Sequence, residues 1–199
     1  MITVFGDDRS GNCLKVKWLL DYLRLPYDWH QLNVLEGQSR TPEFLSMNPA
    51  GQVPLIQLAD GRFLAQSNAI VLYFAEGTDL IPGDAFMRAR MMEWLFWEQY
   101  SHEPYLAVRR FQRLYLGTPD EDIDPKLLDR GAAALTRMEQ ALAAGAWLVG
   151  DQASAADLCL LPYTLLAPEG GFDLAHYSQV HRWTNRAMAA FDIRRPDRA

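Results

Sequence analysis

The sequence places a serine and a cysteine three residues apart, where a short strand ends and a helix begins. Ser10-Gly11-Asn12-Cys13 has the spacing of a C-x-x-C redox motif whose first position is changed to serine. Unpaired N–H groups and the macrodipole at a helix N-terminus favour an anion. A serine hydroxyl there can donate a hydrogen bond to another molecule's thiolate and lower that thiol's pKa below the roughly 8.5 of free cysteine. Two interpretations of Ser10 follow: a donor to a thiolate, or an ordinary N-cap.

The only two cysteines of the chain, Cys13 and Cys159, are interpreted as packing residues. Cys13 lies at helical spacing from Val16 and Leu20, on the apolar face of its helix. A thiol activated by the helix N-terminus is the alternative for Cys13. Two cysteines so far apart lack the repeated spacing of a secreted disulfide framework, so we expect a reducing, intracellular setting.

Two other short stretches have the features of ligand contacts. In Gln52-Val53-Pro54, a cis bond before the proline would expose the backbone N–H and C=O of Val53 to a ligand. An ordinary edge-strand proline is the alternative. Ser67, which follows Gln66, is expected to cap a helix whose first N–H groups can receive a carboxylate. Taken alone, each stretch could equally have a purely structural role, as an edge-strand proline or as a helix cap.

The elements that must position these residues follow from periodicity and turn signals. Over residues 1–77 the pattern predicts the order β-α-β-α-β-β-α, with a hairpin turn at Asp60-Gly61 and a helix stop at Gly77. This is the order of a thioredoxin-like domain. The predicted strands are 2–5, 27–34, 53–58 and 62–64, and the predicted helices are 12–23, 42–47 and 67–76.

Beyond residue 77 the strand signals end and long helical periodicity begins. Residues 78–85 are expected to form a linker, and residues 86–199 an all-α domain in which Pro104 bends or restarts a helix. The fold class is therefore an α+β thioredoxin-like domain followed by an all-α domain. The predicted helices of the second domain are 87–100, 104–116, 125–144, 154–166 and 180–190.

The composition of the chain narrows the range of expected binding partners. The chain has 199 residues, 19 Lys+Arg and 25 Asp+Glu, so its formal net charge is −6, and nucleic acid is not an expected partner. The longest apolar run, residues 69–75, is too short to cross a bilayer. The acidic N-terminus does not fit a targeting peptide. His30, His102, His176 and His181 lack metal-ligand spacing, so no metal is expected.

Four stretches, in this order and at these intervals, resemble the glutathione transferase superfamily, in its bacterial branch with a serine-type S-G-N-C start. The resemblance extends over essentially the whole chain and implies the glutathione transferase fold, with domains at 1–77 and 86–199. The stretch WLFWEQYSHEPY at 94–105 also looks like one bacterial branch of the superfamily. The four stretches are 9–16, 41–45, 48–55 and 66–70.

The resemblance implies glutathione as co-substrate, bound by the first domain. The thiolate stabiliser of the family matches Ser10, with Asn12 beside it as a possible second donor, and the sequence leaves open which of the two contacts the thiolate. The family's cis-proline matches Pro54, and the residue whose backbone pairs with the cysteinyl part of glutathione matches Val53. The pair that binds the γ-glutamyl group matches Gln66 and Ser67, and the candidates for the glycyl end are Gln38, Arg40 and Gln52.

The second substrate is expected in an apolar site to which the helical domain contributes. Candidate residues there are Tyr100, Glu103, Tyr105 and Arg109, although aromatics at helical spacing also commonly fill a core. Arg109, Arg110 and Arg113 are interpreted as a solvated helix face. Ser154 and Asp157 match the family's capping box and are assigned to folding.

The function expected from this resemblance is conjugation of the glutathione thiolate to small hydrophobic electrophiles by a cytoplasmic homodimer. Helix 87–97 is expected to contribute to the dimer contact. One alternative is a glutathione-dependent reductase of disulfides or hydroperoxides. Another is a non-catalytic interaction protein, although such proteins commonly lose the thiolate and γ-glutamyl positions that are filled here.

Overall fold

A computed structural model describes residues 1–194 of the chain, which divides into two compact units, Met1–Gly77 and Thr78–Ala199. The first unit has a sheet with helices, as in a thioredoxin-like domain, and the second is helical. The predicted fold class is therefore confirmed.

The first unit is built on a four-stranded sheet in the order β2-β1-β3-β4. Strands β1 and β2 are parallel, whereas β3 is antiparallel to both β1 and β4. The predicted order of elements is confirmed, with ends that differ by a few residues. The strands are β1 Ile2–Gly6, β2 Tyr27–Gln31, β3 Leu55–Gln57 and β4 Phe63–Ala65, and the helices are α1 Gly11–Tyr22, α2 Pro42–Met47 and α3 Ser67–Ala75.

Apolar residues cover both faces of this sheet. Val4 and Ile56 of the strands pack with Val16 and Leu20 of α1 and with Ile70 of α3, all fully buried. Successive residues of a strand point to opposite faces, so the neighbouring strand residues contribute to a second cluster. That cluster has Leu32, Phe44 and Leu55 at its centre. Burying one such side chain stabilises the fold by about 1.5–3 kcal/mol. The two clusters together therefore hold the strands and their ends in fixed positions.

The second unit is helical throughout its described part. Pro104 lies in the first turn of a new helix, α5, where its missing N–H costs no hydrogen bond, as the sequence predicted. Two five-residue π-helical segments, which periodicity alone does not reveal, lie before and after α5. The helices are α4 Ala85–Trp97, α5 Glu103–Arg110, α6 Pro125–Ala143, α7 Ala155–Leu165 and α8 Ser178–Ala190, and the π-helical segments are Glu98–His102 and Phe111–Tyr115.

A buried polar cluster anchors the N-terminus of α7. The predicted capping box is present: Ser154 and Asp157 satisfy each other's backbone groups. The fully buried Asp157 carboxylate accepts hydrogen bonds from Ser154 N at 2.9 Å, Leu148 N at 3.1 Å and Trp183 Nε1 at 2.8 Å. One carboxylate therefore ties the helix start to two other segments of the unit.

No helix within residues 1–194 combines the length and the hydropathy needed to cross a bilayer. Within the same residues, no three His, Cys, Asp or Glu side chains form a group that could hold a metal ion.

Candidate functional site

Three predicted contact stretches meet at one edge of the sheet of the first unit. Across the sheet, Phe5 lies opposite Leu55, and Leu55 lies opposite Ala65. Strand β1 runs toward α1 just after Phe5, β3 begins at Leu55 directly after Pro54, and β4 ends at Ala65 directly before Gln66. The antiparallel pairing thus brings the start of α1, the Val53–Pro54 bond and the start of α3 to the same edge.

The turn between β1 and α1 sets the position of Ser10. Ser10 occupies the N-cap position of α1: its N–H donates to Asp7 O at 2.9 Å, and its carbonyl accepts from Leu14 N at 3.0 Å. Its side chain, however, makes no capping hydrogen bond. Ser10 therefore holds the N-cap position, as one interpretation expected, but its hydroxyl contacts the Cys13 thiol and not a backbone N–H of the helix.

A buried carboxylate holds that turn in place. Arg9 donates to both oxygens of Asp7, from Nε at 2.9 Å and from Nη2 at 2.7 Å, and also to Asn33 Oδ1 at 2.8 Å. Val34 N donates to Asp7 Oδ2 at 3.3 Å. Desolvation acts to raise the pKa of Asp7, but these hydrogen bonds outweigh it and hold the pKa below its ordinary value. The charged carboxylate thus joins the turn before α1 to the segment after β2.

Cys13 is a buried residue of α1 rather than an exposed thiol. Its side chain is inaccessible to solvent, and its Sγ accepts a weak hydrogen bond from Asp7 N at 3.4 Å. Burial raises the pKa of the Cys13 thiol to about 12, although hydrogen bonds from Asp7 N and the Ser10 side chain act to lower it. The packing interpretation of Cys13 is confirmed by its complete burial in the core.

The start of α3 differs from the sequence prediction. Ser67 is the first residue of the helix, and Gln66 occupies the N-cap position with a φ of +71° and no side-chain cap. The expectation that Ser67 caps this helix is wrong. Its hydroxyl instead donates to Asn12 Oδ1 of α1 at 3.1 Å. Two predicted site residues that are 55 positions apart in the sequence are therefore in direct contact.

Lys15 forms a second link between α1 and α3, which sequence reasoning missed. Its side chain is fully buried, and its Nζ donates to Asn68 Oδ1 at 3.1 Å. Asn68 lies in the first turn of α3, next to Ser67. A buried lysine is uncommon, and no sequence signal marks this one, because periodicity places it off the apolar stripe of α1.

The bond between Val53 and Pro54 is cis, as the sequence analysis raised. Pro54 is buried, Val53 is half-buried and Gln52 is exposed. The carbonyl of Gln52 accepts from Asn48 Nδ2 at 2.8 Å, so an asparagine of the preceding turn holds this stretch. The β3 strand begins after the proline, whose nitrogen cannot donate to the ladder.

Gln38 and Arg40 are exposed and lie on the segment between β2 and α2. Gln38 Oε1 accepts from Asn33 N at 2.8 Å. Arg40 Nη1 donates to Ala50 O at 3.1 Å, which connects this segment to the turn before Val53. Both residues therefore keep donors near the segments that flank the edge, and their contact with a ligand stays a prediction.

The four candidates of the helical unit lie in three environments. Tyr100 and Tyr105 line the same cavity of about 420 Å³. Glu103 is half-buried in the first turn of α5. Arg109 is buried, and its guanidinium donates to Gly170 O at 2.8 Å and to Asp120 Oδ1 at 3.1 Å. These contacts hold Arg109 between segments of the unit, whereas the two tyrosines line a cavity.

The interpretation of the arginine run as a solvated helix face is wrong for two of its members. Arg109 and Arg110 are both buried. Arg110 Nε contacts Glu169 Oε2 at 2.5 Å, and its Nη2 donates to the Tyr115 hydroxyl at 2.7 Å. The sequence shows the charges but not Glu169 and Gly170, about 60 positions away, which satisfy them.

Comparisons with known proteins match both units. The model of the glutathione S-transferase N-terminal domain matches residues 9–76, and the model of the C-terminal domain matches residues 86–190. Among curated proteins, a maleylacetoacetate isomerase of Rhizobium meliloti (strain 1021) is 31% identical, over 96% of this chain and 94% of its own length.

Solved structures agree with these matches. A glutathione S-transferase from Pseudomonas fluorescens Pf-5 is 44% identical, with a TM-score of 0.92 over 94% of each chain. Yeast Ure2p in complex with glutathione is 26% identical, with a TM-score of 0.84 over 98% of this chain and 95% of its own. The similarity in both sequence and fold thus extends over nearly the full chain.

Proposed function

Because the chain belongs to the glutathione S-transferase family, we propose that it joins the thiolate sulfur of glutathione to the electrophilic carbon of small apolar molecules. The observation that carries this proposal is the Ser10 hydroxyl, which lies at the N-terminus of α1 without capping it. In the proposed reaction this hydroxyl donates a hydrogen bond to the glutathione thiolate, and the positive end of α1 adds to the stabilisation. Asn12, two residues further, is the second candidate donor.

The donor groups at the sheet edge fit the rest of glutathione. Val53 presents a backbone N–H and C=O beside the cis bond, which suits the peptide part of the substrate. Gln66, Ser67 and the first N–H groups of α3 suit the γ-glutamyl group, whose carboxylate favours a helix N-terminus. The buried Lys15 places a cationic side chain behind that turn. The glycyl carboxylate is assigned to Gln38, Arg40 and Gln52.

The reacting thiol in this proposal belongs to the substrate and not to the protein. Burial raises the pKa of the Cys13 thiol to about 12, which makes Cys13 a poor nucleophile at neutral pH. A free thiol is only a few per cent ionised at about pH 7, so lowering its pKa increases the reactive fraction. The thiol proton leaves to solvent, sulfur forms the new bond to carbon, and the leaving group departs with its electron pair.

The thiolate absorbance of the protein–glutathione complex near 240 nm, followed against pH, tests this role of Ser10. Wild type is expected to hold bound glutathione as thiolate at neutral pH, and Ser10→Ala is expected to raise that pKa by about one to two units. Ser10→Thr, which keeps a hydroxyl, should retain part of the effect. Ser46→Ala is the control, since the Ser46 hydroxyl donates only to Glu43 O within its own helix. Equal thiol pKa values in wild type and Ser10→Ala would rule the role out.

A second candidate function is glutathione-dependent isomerisation. The relative at 31% identity is named a maleylacetoacetate isomerase, and a thiolate that adds to an unsaturated carbon and later leaves would need the same Ser10 donor. Conjugation of 1-chloro-2,4-dinitrobenzene measured beside isomerisation of maleylacetoacetate separates the two. Mixed-disulfide reduction belongs in the same panel, because the sequence leaves that reaction open.

A non-catalytic role is the remaining alternative, since the relatives include Ure2p, whose structure is described as a nitrogen regulation fragment. Calorimetric titration with glutathione, followed by turnover assays, tests this non-catalytic role. Binding together with turnover of any electrophile supports an enzyme. Failure to bind glutathione would favour an interaction protein.

We also propose that the protein is a homodimer. Helix α4 exposes two large apolar side chains, Phe86 at 70% and Phe96 at 68%. Exposed apolar side chains concentrated on one helix are typical of a protein interface. Light scattering at micromolar concentration should give the dimer mass for wild type, and Phe96→Glu should shift the mass toward the monomer.

We assign the protein to the cytoplasm. Cys13 and Cys159 are both buried and reduced, which suits a compartment that keeps thiols reduced. Fractionation of cells that produce the protein from its own gene, followed by immunodetection, tests this assignment.

A further inference from the structure

Helix α1 contains a buried lysine whose side chain reaches the start of another helix. Lys15 is among the largest fully buried side chains of the described residues, and its Nζ donates to Asn68 Oδ1 at 3.1 Å. Burial of an ammonium group costs free energy unless the group is paired or hydrogen-bonded. A methionine of similar length would fill the same space without that cost, so packing alone does not account for a lysine at this position.

The N-cap residue of α3 does not cap its own helix. Gln66 makes no side-chain cap, and no acidic residue lies in the first turn. The hydroxyl of Ser67 donates to Asn12 Oδ1 at 3.1 Å. The first bond of the intrahelical ladder is the one from Ile70 N to Gln66 O, at 3.0 Å, so the N–H groups of residues 67–69 precede the ladder. An anionic group of a ligand is favoured at such a helix start.

Lys15 determines how the side-chain amide of Asn68 is turned. Asn68 is the second residue of α3 and is half-buried. An ammonium group can only donate, so the amide oxygen of Asn68 faces Lys15 and its NH₂ group points the other way. Without this donor the amide could rotate and turn its oxygen toward a bound anion, which would be repelled. The lysine therefore keeps a side-chain acceptor away from the start of α3.

The core of the first unit holds this donor and acceptor opposite each other. Val16 of α1 and Ile70 of α3 belong to one fully buried cluster. Lys15 directly precedes Val16 in the chain, and Asn68 lies two residues before Ile70. Packing of the two helices therefore fixes the distance over which the lysine side chain has to reach.

We propose that Lys15 is a positioning residue for the γ-glutamyl end of glutathione and that it acts through Asn68. This inference rests on the proposed function, which assigns the γ-glutamyl carboxylate to the start of α3. Lys15 holds the Asn68 amide so that the first turn offers N–H donors, and no acceptor, to that carboxylate. The glycyl end of the peptide, which is assigned to other segments, is not affected by this contact.

The test is calorimetric titration of the full chain with glutathione and two analogues, one with the γ-glutamyl α-carboxylate converted to an amide and one with the glycyl carboxylate converted to an amide. Lys15→Met is expected to weaken binding of glutathione and of the glycyl amide about five- to tenfold. Binding of the γ-glutamyl amide should change by less than about twofold, because this analogue has no carboxylate at the start of α3. Equal weakening of all three peptides would indicate a purely structural role and would overturn the proposal.

A double-mutant cycle tests whether Lys15 acts through Asn68. Asn68→Ala is expected to weaken glutathione binding by a similar factor, and adding Lys15→Met to that variant should have little further effect. Equal factors for Lys15→Met in the two backgrounds would contradict the proposal. Lys15→Arg, which keeps a cationic donor, should retain part of the wild-type affinity. If Lys15→Met does not fold, an unchanged preference of Asn68→Ala for glutathione over the γ-glutamyl amide overturns the proposal by itself.

Lys17→Met is the matched control on the same helix. Lys17 Nζ donates to Asp21 Oδ2 at 2.9 Å and to the Tyr27 hydroxyl at 3.1 Å, and both partners lie outside α3. This variant should bind all three peptides as wild type does. A loss equal to that of Lys15→Met would show that the effect comes from removing any cation of α1, which would also overturn the proposal.

Failure of this inference can be told apart from failure of the proposed function. If wild type binds and conjugates glutathione but Lys15→Met leaves its preference among the three peptides unchanged, only the role of Lys15 is wrong. If wild type does not bind glutathione, the proposed function is wrong and the role of Lys15 is wrong with it.

Discussion

Two serines occupy the N-cap positions of two helices, and the helices use them differently. Ser154 at α7 is buried and belongs to a complete capping box with Asp157. Ser10 at α1 makes no side-chain cap, and its turn is held instead by the carboxylate of Asp7. Ser154 therefore belongs to a buried capping network, whereas the Ser10 hydroxyl lies at a positive helix end and contacts the Cys13 thiol.

The difference shows that residue type at a helix start does not decide the role of the residue. At α7 the acid sits three positions after the serine, within reach of the helix start. At α1 that position holds Cys13, whose buried thiol cannot replace a carboxylate. A second device, the Asp7–Arg9 pair, then stabilises the turn, and the Ser10 hydroxyl contacts the Cys13 thiol instead of the helix backbone.

The largest expected effect falls on the α7 side of the comparison. Asp157→Ala should lower the free energy of unfolding by about 4 kcal/mol, because it leaves the buried donors of Trp183, Leu148 and Ser154 without their acceptor. Urea unfolding measures the change. Asp124→Ala is the control, since Asp124 caps α6 at the exposed surface and should cost only about 1 kcal/mol. Equal losses would show that burial of the network is irrelevant.

The two serines should next separate activity from stability. Ser10→Ala is expected to lower kcat/KM for 1-chloro-2,4-dinitrobenzene about 100-fold, as loss of one preorganised donor does, while unfolding changes by less than about 0.5 kcal/mol. Ser154→Ala should lower stability by about 1–2 kcal/mol and leave kcat/KM of the folded protein unchanged. Steady-state rates and urea unfolding, measured on both variants, test this separation of activity from stability. A reversal of the pattern would remove the contrast between the two helix starts.

The Asp7 carboxylate should matter next, and in a pH-dependent way. Its pKa in the folded protein is lowered, so it stabilises the fold above its ordinary value of 3.8 and loses that effect as pH falls through the lowered pKa. Asp7→Asn should cost about 2 kcal/mol near pH 7 and progressively less below about pH 4. Unfolding midpoints between pH 3 and 7 measure this. A difference from wild type that does not vary with pH would contradict it.

The titration of Cys13 should have the smallest effect near neutral pH, and it matters only at high pH. Its pKa is raised to about 12 in the folded protein, so the unfolded chain loses the proton first and stability falls as pH rises above the ordinary 9.0. Wild type should lose up to about 1.4 kcal/mol per pH unit relative to Cys13→Ala in that range. Conjugation by Cys13→Ala near pH 7 should stay close to wild type. Loss of all glutathione-dependent activity in this variant would mean that the thiol takes part in the chemistry.

Sequence reasoning predicted the elements that carry the site. Apolar periodicity and turn residues identified the four strands and the helices between them, since Val4, Val16, Leu20 and Ile56 form one face of the core. The capping box at Ser154 could also be predicted from the sequence, because its partner Asp157 lies only three positions away. Local signals of this kind depend only on neighbours in the chain.

What sequence reasoning missed depends on partners far away in the chain. Lys15 is buried because Asn68, on another helix, accepts from its Nζ. Arg109 and Arg110 are buried because Gly170 O and Glu169 Oε2 accept hydrogen bonds from their guanidinium groups. Ser67 donates to Asn12 instead of capping α3. Each partner is about 50 to 60 positions away, so no periodicity could indicate it.

By itself the sequence determined the two units, the strand and helix order, and the residues that stand at the helix starts, because hydrophobic period and turn chemistry are local properties. Only the tertiary structure decided which of those residues remain available. Sheet pairing brought Ser10, Val53 and Gln66 to one edge, and folding buried Cys13 and Arg109. The physical reason is that hydrogen-bond partners and desolvation, which set the state of a polar side chain, come from segments that meet only when the chain folds.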